Sequence, residues 1–345
     1  MATQTTVATS PDRRTRLGGA RVALMFGLAA SALVGAAVLS LVMGSRITTP
    51  AEVVDALTGA GDEFTTTVVE SRYPRTVLGI MAGAALALAG TLMQGITRNP
   101  LADPGLLGVN AGAAAAVVTV TAVVGPTSVT GTVWAALPGA VLAGAAAYVV
   151  GTRGGDGGMV RLILAGAVIS AVLTAYVQAV ALSLPDSFDS YRYWVVGSLA
   201  GRGFDVFWAA LPVIGAGLVI ALCVMGGLNA LALGRDAAVS LGVSTVWVQG
   251  AGLVAATLLA AGATAAVGPI AFVGLAVPHV VRAMVGVDFR LQVPFALLIG
   301  PTLLLVSDVV GRTLLRPTEL MVGVVTAFVG APVLLYAIRR MRSTA

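Results

Sequence analysis

The sequence predicts an all-α, polytopic membrane protein of about ten transmembrane helices. Of 345 residues, 58% are hydrophobic and only 10% are charged, where soluble domains carry roughly 25% charged residues. The apolar residues fall in long runs, and about 20 such residues at 1.5 Å rise span a bilayer core. All 20 basic residues are arginines, gathered between those runs.

The spans follow in order: Val22 to Met43, Val77 to Ile96, Leu106 to Val124, Val133 to Val150, Leu162 to Leu184, Val206 to Met225, Val246 to Val267, Ile270 to Val285, Val293 to Val310 and Leu320 to Ile338. The polar start holds Thr, Ser, Pro and Arg, and no small-residue cleavage pattern follows the first apolar run, so that run reads as a retained span rather than a signal peptide. Three regions are expected: an N-terminal arm over 1–20, a transmembrane domain over 21–340, and a short tail over 341–345.

Ten spans divide the arginines 13 to 7 between the two sides, against 5 and 10 acidic residues. The positive-inside rule then puts both termini in the cytoplasm. The basic balance therefore reports topology and is no sign of a nucleic-acid partner.

Between the first two spans, Thr49-Pro50-Ala51-Glu52 reads as a helix N-cap, a proline at the first helical position and an acidic first turn. A short surface helix is expected there, on the outer side. The aromatic cluster Tyr191, Tyr193 and Trp194 fits an interface belt, and Cys223, the single cysteine, is expected as a packing residue.

Two halves of the chain echo one another weakly. "LALAG" (Leu86 to Gly90) precedes "PGLLGV", and "LLAAG" (Leu258 to Gly262) precedes "PIAFVG". The spans concerned run in opposite directions, so a repeat here would be inverted.

Chemistry-bearing motifs are few. No Walker A sequence, HExxH or Cys/His cluster occurs, so nothing points to a metal, a cofactor or ATP hydrolysis in this chain. Asp308 is the one acidic residue near a span interior, and Arg312 four positions later makes a local ion pair the expected reading. That emptiness argues against an ion-coupled secondary transporter, which needs a buried carboxylate or a broken-helix ion site. The lone His279 is read as a packing or backbone-bonding residue.

The segment "GGLNALALGRDAAVSLGVS" (226–244) lies in the middle cytoplasmic loop. Leu228, Leu231 and Leu241 recur at helical spacing around Arg235 and Asp236, ending at Gly242. One Arg and one Asp are too few for a helix lying on lipid, so a protein-docking helix is expected.

Several motifs together resemble one family. They are "RYPR" (Arg72 to Arg75), "QGITRNPLADPGLLGVNAGA" (Gln94 to Ala113), "ALGRDAAVSLGV", "GPIAFVGLAVPHVVR" (Gly268 to Arg282) and "GVVTAFVGAPVLLYAIRR" (Gly323 to Arg340). In order and spacing they are similar to the FecCD/BtuC-type permeases of bacterial iron-siderophore, haem and cobalamin ABC importers.

The resemblance implies a type II importer subunit with ten helices per protomer. Its partners would be a second permease protomer, two cytoplasmic ATPase subunits and an extracytoplasmic substrate-binding lipoprotein. Arg72, Arg75 and Arg312 match the positions where the binding protein's carboxylates dock, and Leu228 to Gly242 match the segment that couples to the ATPase. The family's inner gate lies just before the fifth span and uses small hydroxyl residues; Gly158 and Met159 hold that place here, in "GGDGGMVR", and depart from the pattern. A ferric siderophore is the expected cargo, with haem and cobalamin as alternatives.

One polar break remains, "TRNPLADPGLLGVNAG" (Thr97 to Gly112). Pro100 and Pro104 disfavour helix at Asn99 and Asp103, while Asp103 is placed to accept the orphan amides of the third span. The stretch is expected to be a structural corner.

Overall fold

Ten apolar runs become ten apolar helices. In the computed structural model, which describes residues 18–44, 48–152, 158–184, 191–192, 194–315 and 318–342, seven helices are long and apolar enough to cross a bilayer. Three shorter ones, Val109–Val124, Val273–Val285 and Val322–Pro332, complete the set. No strand occurs among the described residues.

In chain order the helices are α1 (Gly19–Val42), α2 (Pro50–Thr58) and α3 (Glu63–Thr97), then a 3-10 turn (Pro104–Leu107), α4 (Val109–Val124), α5 (Val129–Thr152) and α6 (Gly158–Ser183). After them come α7 (Phe204–Ala232), the short α8 (Arg235–Ser240), α9 (Thr245–Val267), α10 (Val273–Val285), α11 (Phe289–Leu314) and α12 (Val322–Arg342). Most of the expected N-terminal arm lies outside the described residues, while α12 runs on to Arg342, into the expected tail.

The surface helix α2 forms as its sequence predicts. Thr49 Oγ1 accepts the Glu52 amide at 3.2 Å, and Glu52 Oε2 accepts the Thr49 amide at 2.6 Å, a reciprocal capping box.

The centre of the bundle is α3 and α9, whose most apolar windows are 83% and 72% buried; the same window of α1 is 11% buried. The two run antiparallel. Both pack by glycine. A Cβ on Gly90 of α3 would stand 1.8 Å from the carbonyl oxygen of Gly274 in α10, and one on Gly83 would meet the Gly300 carbonyl of α11 at 2.8 Å. Small residues let helices approach to backbone contact where lipid supplies no hydrophobic drive between them.

Two residues sit differently from expectation. Cys223 is exposed on α7, because in a membrane chain an apolar residue can face outward without cost. Trp194 is buried rather than belted at an interface; its segment folds against the end of α9, where Ser198 N–H donates to the Val267 carbonyl at 2.8 Å. Tyr193 lies outside the described residues.

Candidate functional site

Two clusters occupy opposite ends of α3, which at 35 residues is about 52 Å long. At its first turns stand the arginines, and at its last turn stands the segment joining α7 to α9.

Helix α3 starts on Asp62, whose carboxylate accepts the Thr65 amide at 3.1 Å. It carries Arg72, Arg75 and Thr76 beside the end of α1. A helix C-terminus leaves its last carbonyls without intrahelical partners and partially negative. Arg72 Nη1 donates to the Leu41 and Val42 carbonyls at 2.9 and 3.0 Å and to Thr48 Oγ1 at 3.2 Å. Arg312 of α11 donates to the Ser40 carbonyl at 3.1 Å and to Ser40 Oγ at 3.0 Å. Three consecutive carbonyls of α1 are thus capped by guanidinium groups from two other helices.

Arg75 turns the other way. Its Nη2 and Nε reach Asp308 at 2.8 and 3.1 Å, and Nη1 reaches Glu319 Oε2 at 2.9 Å. Asp308 also accepts Arg312 Nη2 at 3.1 Å, the i,i+4 pair expected from sequence. Arg72 and Arg312 are 6% and 2% exposed. As docking residues these two therefore need correction: their guanidinium groups face inward and hold α1, and Arg75 beside Glu319 is the member of the three that reaches the surface. Arg46 and Arg316 lie outside the described residues.

At the far end, the stretch from Leu228 to Gly242 is two helices. Gly234 has φ +122°, a conformation that side-chain-bearing residues rarely adopt, and it ends α7 and opens α8. Leu228 and Leu231 are buried in α7, so they are corrected from docking face to anchor. The exposed apolar residues are Leu233, Val239 and Leu241, with Val246 and Trp247 just beyond. Arg235, Asp236 and Gly242 are exposed among them.

This end is laced together by side chains that cap other helices. Arg98 donates to the Leu231 carbonyl of α7, Asn229 Oδ1 accepts the Phe289 amide at 2.8 Å, and Asn229 Nδ2 donates to Asp288 at 2.7 Å. The last turn of α7, from which α8 continues, is thus bonded to the residue ending α3 and to the first residues of α11.

The corner that follows α3 is built from short-range bonds. Asn99 Oδ1 accepts the Leu101 amide at 2.9 Å, and Asp103 Oδ1 accepts the Gly105 amide at 2.8 Å. Asp103 caps the 3-10 turn that begins at Pro104, and Gly108 caps α4, a shift from the expected cap on the third span. Burial raises the Asp103 carboxyl above the usual carboxylate range, and the Gly105 N–H opposes part of that rise. The Pro100 break is a turn.

His279 Nδ1 meets the Leu275 carbonyl at 2.7 Å, the backbone-bonding role expected for it. Gly158 and Met159 open α6, and their side chains lie outside the described residues. Sequence reasoning missed Glu319, Arg98 and Asn229, because each acts on a partner distant in sequence.

An all-helical, glycine-packed bundle of ten apolar helices, with a charged cluster at one end and an exposed apolar turn at the other, is a membrane transport permease by class. Residues 32–340 match the FecCD transport family, and the chain belongs to it. It is 45% identical over 311 residues to the ferric enterobactin transport system permease protein FepD of Escherichia coli (strain K12), covering 89% of this chain and 92% of that one. The hemin transport system permease protein HmuU of Yersinia pestis is 36% identical over 282 residues, 79% of this chain and 82% of its own. Among solved structures, an inward-facing protein assigned as a metal-chelate type ABC transporter superposes with a TM-score of 0.77 at 25% identity, covering 92% of this chain and 99% of that one.

Proposed function

We propose that this chain is the permease subunit of an ATP-binding-cassette importer that carries a ferric siderophore from a substrate-binding lipoprotein into the cytoplasm. The observation that carries the reading is the end-to-end similarity to the ferric enterobactin permease. Two cytoplasmic ATPase subunits would dock on the α8 turn, and a second permease protomer would complete the pathway.

The α8 end would then be cytoplasmic, together with both chain termini, and the arginine end would face the binding protein. Arg75 is the proposed contact there: Asp308 holds its Nε and Nη2, so a carboxylate of the binding protein would compete with the more exposed Glu319 for Nη1, a charge-assisted bond to a group that stays charged. Arg72 and Arg312 would keep α1 and α11 fixed behind it. ATP binding would close the ATPase pair, and α8 would pass that motion to α7, α3 and α11 through Arg98 and Asn229.

The test is uptake of radiolabelled iron in cells expressing the chain with its neighbouring ATPase and binding protein. Ferric enterobactin should be taken up, and ATP depletion should stop it. Uptake that survives ATP depletion and collapses with an uncoupler would instead mark an ion-coupled transporter. Preference for haem or cobalamin in the same cells would replace the siderophore as cargo.

A further inference from the structure

Two helices that start at the arginine end carry the same order of exposed residues down one face, and the reading above uses neither. On α5 the exposed stripe runs Trp134, Pro138, Leu142, Ala145 and Val149, one turn inward of Thr130. On α7 it runs Asp205, Trp208, Pro212, Ala216 and Val219. Steps of three and four residues keep each set on a single helix face. From the indoles inward no charged side chain interrupts either stripe.

The two stripes start level with one another. Thr130 Oγ1 donates to the Asp205 carboxylate, and Trp134 and Trp208 each stand about one helical turn inward of that bond. Their side chains are 60% and 65% exposed. Other rings extend the level sideways: Phe207 meets Trp208 at 5.1 Å between centroids, Phe204 meets Phe207 at 6.2 Å, and Tyr73 meets Phe204 at 5.2 Å. Tyr73 is itself exposed and lies between Arg72 and Arg75 on α3.

Helix length alone does not say where the hydrocarbon begins. Helix α7 has 29 residues, about 43 Å at 1.5 Å per residue, against a core of about 30 Å. Such an excess is taken up by tilt, and tilt and depth are set by interfacial anchors and by packing. Tryptophan and tyrosine are anchors because an amphipathic ring is favoured where one edge meets headgroups and the other meets acyl chains. The aliphatic stripe below the indoles suits acyl chains, whereas the hydroxyl and carboxylate above them are costly to place in hydrocarbon.

We propose that Trp134, Trp208 and the rings of Tyr73, Phe204 and Phe207 bind the lipid interface at the arginine end and set the depth of the chain, with hydrocarbon beginning at the two indoles. The interface belt expected at residues 191–194 is thereby assigned to α5 and α7. Arg75 and its carboxylates, adjoining Tyr73, then lie at headgroup level or beyond, clear of the acyl chains. The inference rests on the membrane-spanning fold and not on the cargo assignment.

The test is tryptophan quenching in the full chain, reconstituted in vesicles of phosphatidylethanolamine and phosphatidylglycerol that contain phosphatidylcholine brominated either close to the headgroup or close to the chain end. The sequence has four tryptophans; Trp247→Phe removes the one at the opposite end, and the buried Trp194 stays as the reference. In that background, bromine close to the headgroup should quench emission more than bromine at the chain end. Trp134→Phe and Trp208→Phe should each remove part of this quenching, and the two together should leave only the response of Trp194. Should the combined variant not fold, the two single substitutions carry the comparison. Stronger quenching from the chain end, or quenching left unchanged by either single substitution, overturns the proposal. Absence of quenching by both lipids would show the two faces to be covered by protein and would overturn it as well.

Discussion

Arg75 and Asp308, 233 positions apart, meet through two nitrogens and one carboxylate, at 2.8 and 3.1 Å. Asp308 is 1% exposed and serves Arg312 as well. One carboxylate thus compensates guanidinium groups from α3 and α11. Removing one partner of a buried pair costs about 3–5 kcal/mol, because the remaining charge is left uncompensated. Asp308→Ala should therefore lower the melting temperature sharply, while Arg75→Ala should cost less because Asp308 keeps Arg312. Equal losses in the two variants, read by thermal unfolding in detergent, would contradict the shared role.

The glycine crossing of α3 and α10 gives a second expectation. A methyl group on Gly90 would meet backbone at 1.8 Å, and backbone cannot swing aside as a flexible side chain can. Gly90→Ala should therefore abolish the monodisperse peak in size-exclusion chromatography. Gly35 of α1 has nothing within 4 Å of its Cβ position, so Gly35→Ala should be neutral or stabilising by about 0.5–1 kcal/mol through helix propensity.

The ten apolar helices, seven of them long enough to cross a bilayer, were legible because hydrocarbon demands long apolar runs, and the α2 cap because its residues are neighbours in sequence. The Asp308 and Arg312 pair was legible for the same reason. Arg75 with Asp308 was not, since no local pattern specifies which helices adjoin. Helix α3 begins at Glu63 rather than Val77: it extends beyond its apolar run, and that extension carries the arginines. Leu228, Leu231 and Leu241 share a helical spacing, yet Gly234 turns the chain between them, so periodicity placed two anchors on a face they do not occupy.

Asp103 links the corner to pH. Its carboxyl is raised in the folded protein, so ionisation costs stability: the cost is absent below the unfolded value of about 4, grows as pH rises through the raised value, and is complete above it. Asp103→Asn keeps an oxygen for the Gly105 amide and removes that cost. Its melting temperature should match the wild type at low pH and exceed it at pH 8. Asp103→Ala loses the cap and should be less stable by about 0.5–2 kcal/mol, with cargo preference unchanged in an uptake assay.

The exposed turn at α8 gives the last expectation, because its buried and exposed residues have separable roles. Ala238 is fully buried and fixes α8 to the bundle, whereas Val239 and Leu241 are 59% and 64% exposed. A carboxylate at either exposed position faces no desolvation in the isolated chain, so Val239→Asp and Leu241→Asp should fold and melt as wild type does. In complex with an ATPase the same carboxylate would be buried against apolar surface without a partner, a cost of several kcal/mol. Co-purification of the ATPase should then fall by more than tenfold. Leu231→Asp should instead prevent folding, since that side chain is 1% exposed and its carbonyl receives Arg98. Pull-down of the tagged ATPase, set beside the thermal profile of each variant, separates the two effects; normal ATPase capture by both exposed-position variants would remove α8 as the docking surface.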